Sequence, residues 1–156
     1  MKQKIINLGM LILLLPMLLF SGCSNGDGLG DDPDFIKAKK IIQANMDKYT
    51  DEEASGELID GVRVIEVTAY QFYFEPTTII VNQGEKIRIK FSSEDIPHGF
   101  EIHGYEIPGY DFNEPVRPGF PIEIEFEAKE QGIFEFICSI YCGFGHSAMK
   151  GLFVVR

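Results

Sequence analysis

Between Cys138 and Met149 the sequence reads Cys-Ser-Ile-Tyr-Cys-Gly-Phe-Gly-His-Ser-Ala-Met, which puts two thiols, the His146 imidazole and a thioether in one short run. Soft sulfur donors mixed with imidazole suit copper better than the hard cations, which take oxygen. These residues leave three outcomes open. An even cysteine pair in an exported protein is commonly a disulfide. A blue-copper centre needs one Cys, two His and a weak Met; Cys142, His146, Met149 and an upstream His would supply it and leave Cys138 over. Two cysteines four apart can instead bridge two copper ions, with one His on each.

The elements that must position these donors are strands. Phe134 and Phe136 alternate with Ile133, Glu135 and Ile137, so a strand is expected to deliver Cys138 at its end. Gly143-Phe-Gly145 lets the chain turn tightly before Gly151–Arg156 resumes as a final strand. Upstream the same period of two recurs. It runs through Val62–Ala69, Thr77–Asn82, Glu85–Phe91 with Ile87, Ile89 and Phe91 inward, and Pro121–Glu127 with Ile122, Ile124 and Phe126 inward against three outward Glu. Short strands punctuated by turn residues predict an all-β sandwich. Gly104 to Gly119, with Pro108, Pro115 and Pro118, reads as a long loop crossing near the ligands. His103 follows His98 by five residues in an extended segment and so faces the other way; a surface position is expected for it.

The pattern C-x-x-x-C-x-x-x-H-x-x-M resembles the CuA loop of cytochrome oxidase subunit II and of nitrous oxide reductase. The family's D-x-x-H segment is matched by Asp95-Ile-Pro-His98. The resemblance covers residues 62–156 and lies nearest the B-type (ba-type) oxidases, which share Tyr before the second Cys and His-Gly-Phe at the upstream ligand. It implies a cupredoxin-like Greek-key sandwich and a binuclear copper centre. Cys138 and Cys142 would be its bridging thiolates, His98 and His146 its terminal imidazoles, Met149 a weak axial ligand, and Ile140 the donor of an axial backbone carbonyl. Many subunit II sequences carry Glu where Ile140 stands, and its carboxylate touches magnesium; no magnesium site is carried over here. The resemblance also implies that electrons enter through the aromatic segment at Tyr70, Phe72, Tyr73 and Phe74, with Phe72 in the position the family often fills with Trp. Read from composition alone, at least half of those rings are sandwich core; an exposed apolar ring with a polar rim would be a docking patch.

The chain has 156 residues, 45% of them hydrophobic, enough for one compact domain. It begins with a basic Met1–Lys4 and an apolar run from Leu8 to Phe20, too short for a comfortable membrane span and read as a signal segment over 1–22. Leu19-Phe-Ser-Gly-Cys23 resembles a bacterial lipobox, with Phe20 where Leu is usual and Cys23 as the lipidated residue; an uncleaved helical anchor is the alternative. Residues 23–33 read as a flexible tether. Asp32-Pro33 caps a short amphipathic helix within 34–56 that bears Phe35, Ala38, Ile42, Met46 and Tyr49 at helical spacing, packed on the domain or on a partner. A polar loop follows, and 57–156 is the β domain. The net charge is −10, and losing Lys2 and Lys4 with residues 1–22 takes 14 basic side chains to 12 against 24 acidic, or −12. That surface repels nucleic acid and steers a basic partner.

No nucleophilic triad, phosphate-cradling loop or nicotinamide motif is present in the sequence, so one-electron transfer is the expected activity. The resemblance implies a cytochrome c-like donor and the catalytic subunit I of a haem–copper oxidase as acceptor, with the domain on the extracytoplasmic face of the membrane and held there by a lipid anchor. A free-standing lipid-anchored carrier and a copper-delivery metallochaperone are the competing roles.

Overall fold

The structure, a computed structural model, describes residues 43–156. The signal segment at 1–22, Cys23, the tether and the start of the amphipathic helix fall outside the described residues.

Among the described residues, nine strands form two facing sheets. The first contains β1 (Glu57–Ile59), β2 (Val62–Tyr70), β3 (Tyr73–Glu75), β5 (Lys86–Ser93) and β7 (Ile122–Glu127). Its order is β1-β2-β5-β7, with β3 hairpinned onto the far end of β2. The second contains β4 (Thr78–Val81), β9 (Lys150–Val155), β8 (Gly132–Ile137) and β6 (Glu101–Ile102), in the order β4-β9-β8-β6. Strands β2 and β5 run parallel, as do β4 and β9; every other pairing is antiparallel. The all-β sandwich expected from the period of two is therefore the fold. Ile87, Ile89 and Phe91 point inward from β5, Ile124 and Phe126 inward from β7, and Glu123, Glu125 and Glu127 outward.

One end of the core is aromatic. Phe74, Phe91, Phe100 and Phe136 are all fully buried. Their rings meet edge-on or tilted, with centroids 5.2 Å apart for Phe74–Phe136 and for Phe100–Phe136, and 5.3 Å for Phe91–Phe100. Such pairs add about 0.5–1.5 kcal/mol each beyond area burial. Cys138, Cys142 and Met149 belong to the same cluster. The thiols therefore belong to the same close-packed core as these rings, and that packing stiffens the base of the ligand loop.

At the other face of the second sheet, the helical stretch at 43–47 lays Met46 on Ile80 and Val154, with Tyr49, Ile133 and Leu152 at the margin. The described part of the amphipathic segment thus packs on its own domain. The Arg156 guanidinium holds it there by donating to the carbonyls of Tyr49, Thr50 and Glu52 at 2.5, 2.9 and 2.5 Å. Among the described residues no helix is long and apolar enough to cross a membrane.

A partly buried ion pair fastens β2 to the β4–β5 turn. Arg63 donates two parallel hydrogen bonds of 2.8 Å to Glu85, which also accepts from the Asn82 backbone N–H at 2.9 Å. The Arg63 guanidinium, followed by the Asn82 bonds, holds the Glu85 carboxyl at about 2 rather than 4.5, against the opposing effect of burial. The folded-state pKa is depressed, so the stabilisation is complete above the unfolded value of 4.5 and is lost as pH falls from there towards 2. Its size is roughly 3 kcal/mol. Chemical denaturation of the wild-type chain between pH 6 and pH 3 is expected to show this loss. The Glu85→Gln variant should start less stable at pH 6 and show a shallower decline; parallel curves for the two proteins would assign the loss to other carboxylates.

Candidate metal centre

Strand β8 ends at Ile137 and releases Cys138, as its alternation predicts, and the Cys138 N–H donates to the carbonyl of Met149 at 3.2 Å. The first and last donors of the loop are thereby held opposite one another at the mouth of the β8–β9 hairpin. Between them the chain turns at Gly143, whose φ of 124° is open only to glycine at low cost, and closes a single 3-10 turn at His146–Ala148. His98 arrives from the other sheet, after β5. A two-way backbone pairing with Val116 fixes it, His98 N–H to Val116 O at 3.1 Å and Val116 N–H to His98 O at 2.8 Å. The 104–119 loop does cross near the ligands, as its position in the sequence suggests.

The donors converge. Cys138 and Cys142 are both buried and free, with their sulfurs 3.8 Å apart. A disulfide holds its sulfurs at about 2.05 Å, so the two are not bonded. The Cys138 sulfur lies 3.6 Å from His98 Nδ1, and the Cys142 sulfur 3.6 Å from His146 Nδ1. Met149 Sδ is 3.7 Å from the Cys142 sulfur, and the Ile140 carbonyl oxygen is 3.1 Å from that of Cys138. Spacings of this size suit donors that share an ion about 2.0–2.3 Å away. His98, Cys138 and Cys142 offer donor atoms that all lie within 4.8 Å of one another. The set is soft, largely shielded from water, and fits copper. Burial, followed by the neighbouring Cys138, pushes the Cys142 thiol pKa upward; metal uptake therefore has to displace thiol protons.

Packing residues around the donors are as closely defined. Asp95 Oδ1 lies 2.7 Å from His98 Nε2, which leaves Nδ1 facing the sulfurs. The same carboxylate accepts the backbone N–H of Gln71 at 2.6 Å and of Ile96 at 2.7 Å. Partial burial raises the Asp95 pKa, but these hydrogen bonds outweigh it and hold the carboxyl below its ordinary value. Gly99 has no room for a side chain: a Cβ there would collide with Ser139 Oγ and sit 3.0 Å from Ile140 N. Ser139 in turn donates to the Phe112 carbonyl at 2.5 Å, so the residue before Ile140 is gripped from both sides. Gly99 and Ser139 lie inside the motifs read from the sequence, but nothing there marked their contacts or those of Gln71, because each contact joins segments far apart in the chain.

The aromatic segment divides. Phe74 is fully buried in the core, so it does not belong to an exposed patch. A strand alternates its faces, and β3 spends that position inward. Phe72 and Tyr73 are 37% and 49% exposed, and Tyr73 stacks on Tyr70 with centroids 4.9 Å apart. Phe72 lies flat against the ligand loop: a Cβ on Gly145 would collide with its ring. Two further rings that sequence reasoning did not select, Tyr141 and Phe144, stand out from the same loop. His103 is exposed, 4.0 Å from Glu101, and takes no part in the cluster.

Comparison with known proteins agrees with this geometry. The cupredoxin-like domain family matches residues 46–155. Cytochrome c oxidase subunit 2 of Thermus thermophilus is 32% identical over 119 residues, covering 76% of this chain and 74% of the relative. A second cytochrome c oxidase subunit 2 from that species is also 32% identical, and here the chain spans 60% of the relative's length. A cryo-EM structure of a heme-copper terminal oxidase dimer contains a chain that superposes with a TM-score of 0.54 at 26% identity, covering 79% of this chain and 94% of that one.

Proposed function

Because the chain belongs to the cupredoxin-like domain family and to the cytochrome c oxidase subunit 2 group within it, we propose that it transfers single electrons through a binuclear copper centre. The donors would be Cys138, Cys142, His98, His146, Met149 and the Ile140 carbonyl. The observation that carries this reading is the pairing of donors, in which each sulfur has an imidazole nitrogen 3.6 Å away. One thiol with two imidazoles would serve a single copper; two thiols, each with its own imidazole, serve two. Copper held in this way supplies a one-electron couple. The protein holds the donors on a close-packed core, keeps water from the sulfurs and offers no open ligand position for a substrate.

The likeness to subunit 2 supports a place beside the catalytic subunit I of a haem–copper oxidase, with a cytochrome c-like donor and an extracytoplasmic location. A leader over 1–22 and a lipid at Cys23 would tether residues 57–156 to that membrane face. A free-standing lipid-anchored carrier is the second reading, favoured by the lipobox-like sequence around Cys23; a copper-delivery protein is the third. Copper analysis with electron paramagnetic resonance tests the centre. Two coppers per chain and a hyperfine pattern from one electron shared over both are expected, whereas one copper with a single-nucleus pattern would remove the binuclear reading. Co-purification with a haem-bearing membrane subunit would separate the oxidase role from the free carrier.

Phe72, with Tyr70 and Tyr73 beside it, is the proposed surface through which electrons enter. Phe72→Ala should leave copper content unchanged and slow reduction by a cytochrome c in stopped-flow measurements. An unchanged rate would move the point of arrival to Tyr141 and Phe144.

A further inference from the structure

Gln71 lies in the exposed aromatic turn and is hydrogen-bonded both to the ligand loop and to the carboxylate that holds the His98 ring. Its backbone N–H donates at 2.6 Å to the Asp95 carboxylate, whose other oxygen meets His98 Nε2 at 2.7 Å. Its side-chain amide donates at 2.6 Å to the carbonyl of Cys142, a residue 71 positions away in the chain. Two more contacts press the same turn onto the same loop. A Cβ on Gly143 would lie 3.2 Å from Gln71 Nε2 and 3.1 Å from the Phe72 ring, and one on Gly145 would run into that ring. A side chain at Gly145 would force the turn from the loop, and one at Gly143 would press the turn outward by a few tenths of an ångström while straining a backbone at φ 124°.

From these contacts we infer that Gln71 is a positioning residue with two roles. It clips the Tyr70–Tyr73 turn to the ligand loop, and its amide-to-carbonyl hydrogen bond is the shortest bonded route from that turn to the Cys142 sulfur. The route rests on the electron-transfer reading given above. Along it one electron would pass from a reductant at the turn, which is oxidised by one unit, through Gln71 Nε2–H and the Cys142 carbonyl to the copper that Cys142 would hold, which is reduced by one unit; no bond is made or broken and no proton accompanies it. The reductant is a one-electron donor of positive charge, since Glu75, Glu94 and Asp95 surround Tyr70 with negative charge.

The test compares the full chain with Gln71→Leu, which keeps bulk and loses the donor, and with Gln71→Met, which keeps the unbranched length, adds no charge and has no donor. Without copper, backbone hydrogen exchange over residues 142–146 should quicken in both variants by about fivefold, the factor that one hydrogen bond carries. With copper bound, both should keep the wild-type copper content, paramagnetic spectrum and midpoint potential, yet be reduced several-fold more slowly by hexaammineruthenium(II), a small cationic one-electron reductant. Unchanged exchange overturns the clip. An unchanged reduction rate overturns the route, and so does a slower rate accompanied by a shifted potential or altered spectrum, because the centre itself has then been disturbed. If the wild-type chain binds copper but cannot be reversibly reduced, the electron-transfer reading falls and takes the route with it; the copper-free exchange still judges the clip.

Discussion

Replacing Cys138 by serine is expected to lower bound copper from two ions per chain to one at most and to abolish the shared-electron paramagnetic signal. Cys138 is 3% exposed and lies within reach of both the His98 imidazole and the second thiol, and among the described residues no other sulfur stands on its side of the site. Serine offers a harder oxygen of much higher pKa in the same place, a poor exchange where soft donors select the metal. Cys142, His146 and Met149 stay together, with Met149 Sδ 3.7 Å from the Cys142 sulfur. A residual single copper on those three donors is thus the foreseen product, read by metal analysis and by a single-nucleus hyperfine pattern. Two coppers and an unaltered spectrum would remove Cys138 from the ligand set and, with it, the binuclear proposal.

Asp95→Ala should have the next largest effect, because one carboxylate serves three groups. It sets the His98 ring by accepting at Nε2, and it satisfies the backbone N–H groups of Gln71 and Ile96. Removing the partner that orients a metal-bound imidazole commonly costs about 10- to 100-fold in affinity, which is roughly 1.4–2.7 kcal/mol. Competition against a copper chelator at neutral pH should show a loss in that range for Asp95→Ala. Asp95→Asn retains one acceptor oxygen and should fall between it and the wild type. His98 itself is wholly buried and pinned through its backbone to Val116. Its position should therefore survive the substitution, and the loss should come from ring orientation and charge. Wild-type affinity in Asp95→Ala would mean that packing alone orients the ring.

The two effects separate the roles of chemistry and scaffold. Cys138 supplies a donor atom, and no rearrangement of the surroundings replaces it. Asp95 supplies orientation, which the buried Val116 pairing partly duplicates. The first loss should therefore be one of stoichiometry and the second one of affinity with stoichiometry preserved at high copper.

Much of this protein is legible in the residue order because it is local. A period of two with β-branched and aromatic residues specifies strands and their inward faces, and Ile87, Ile89 and Phe91 lie where that alternation puts them. The spacing of Cys138, Cys142, His146 and Met149 within one loop makes soft-metal chemistry readable without coordinates. What the tertiary structure alone decided is non-local. It placed His98, named as a ligand in the sequence only through the family's D-x-x-H segment, beside Cys138 with Asp95 behind it, set Gln71 against Cys142 and Phe112 against Ser139, and laid Met46 on its own domain. It also turned Phe74 inward while leaving Phe72 on the ligand loop, a distinction that composition cannot make for neighbouring aromatic residues. The physical reason is the same in each case. Donor types and hydrophobic periods are properties of short segments, whereas the partner of a hydrogen bond between remote segments depends on which sheets pair, and that is fixed only when the whole core closes.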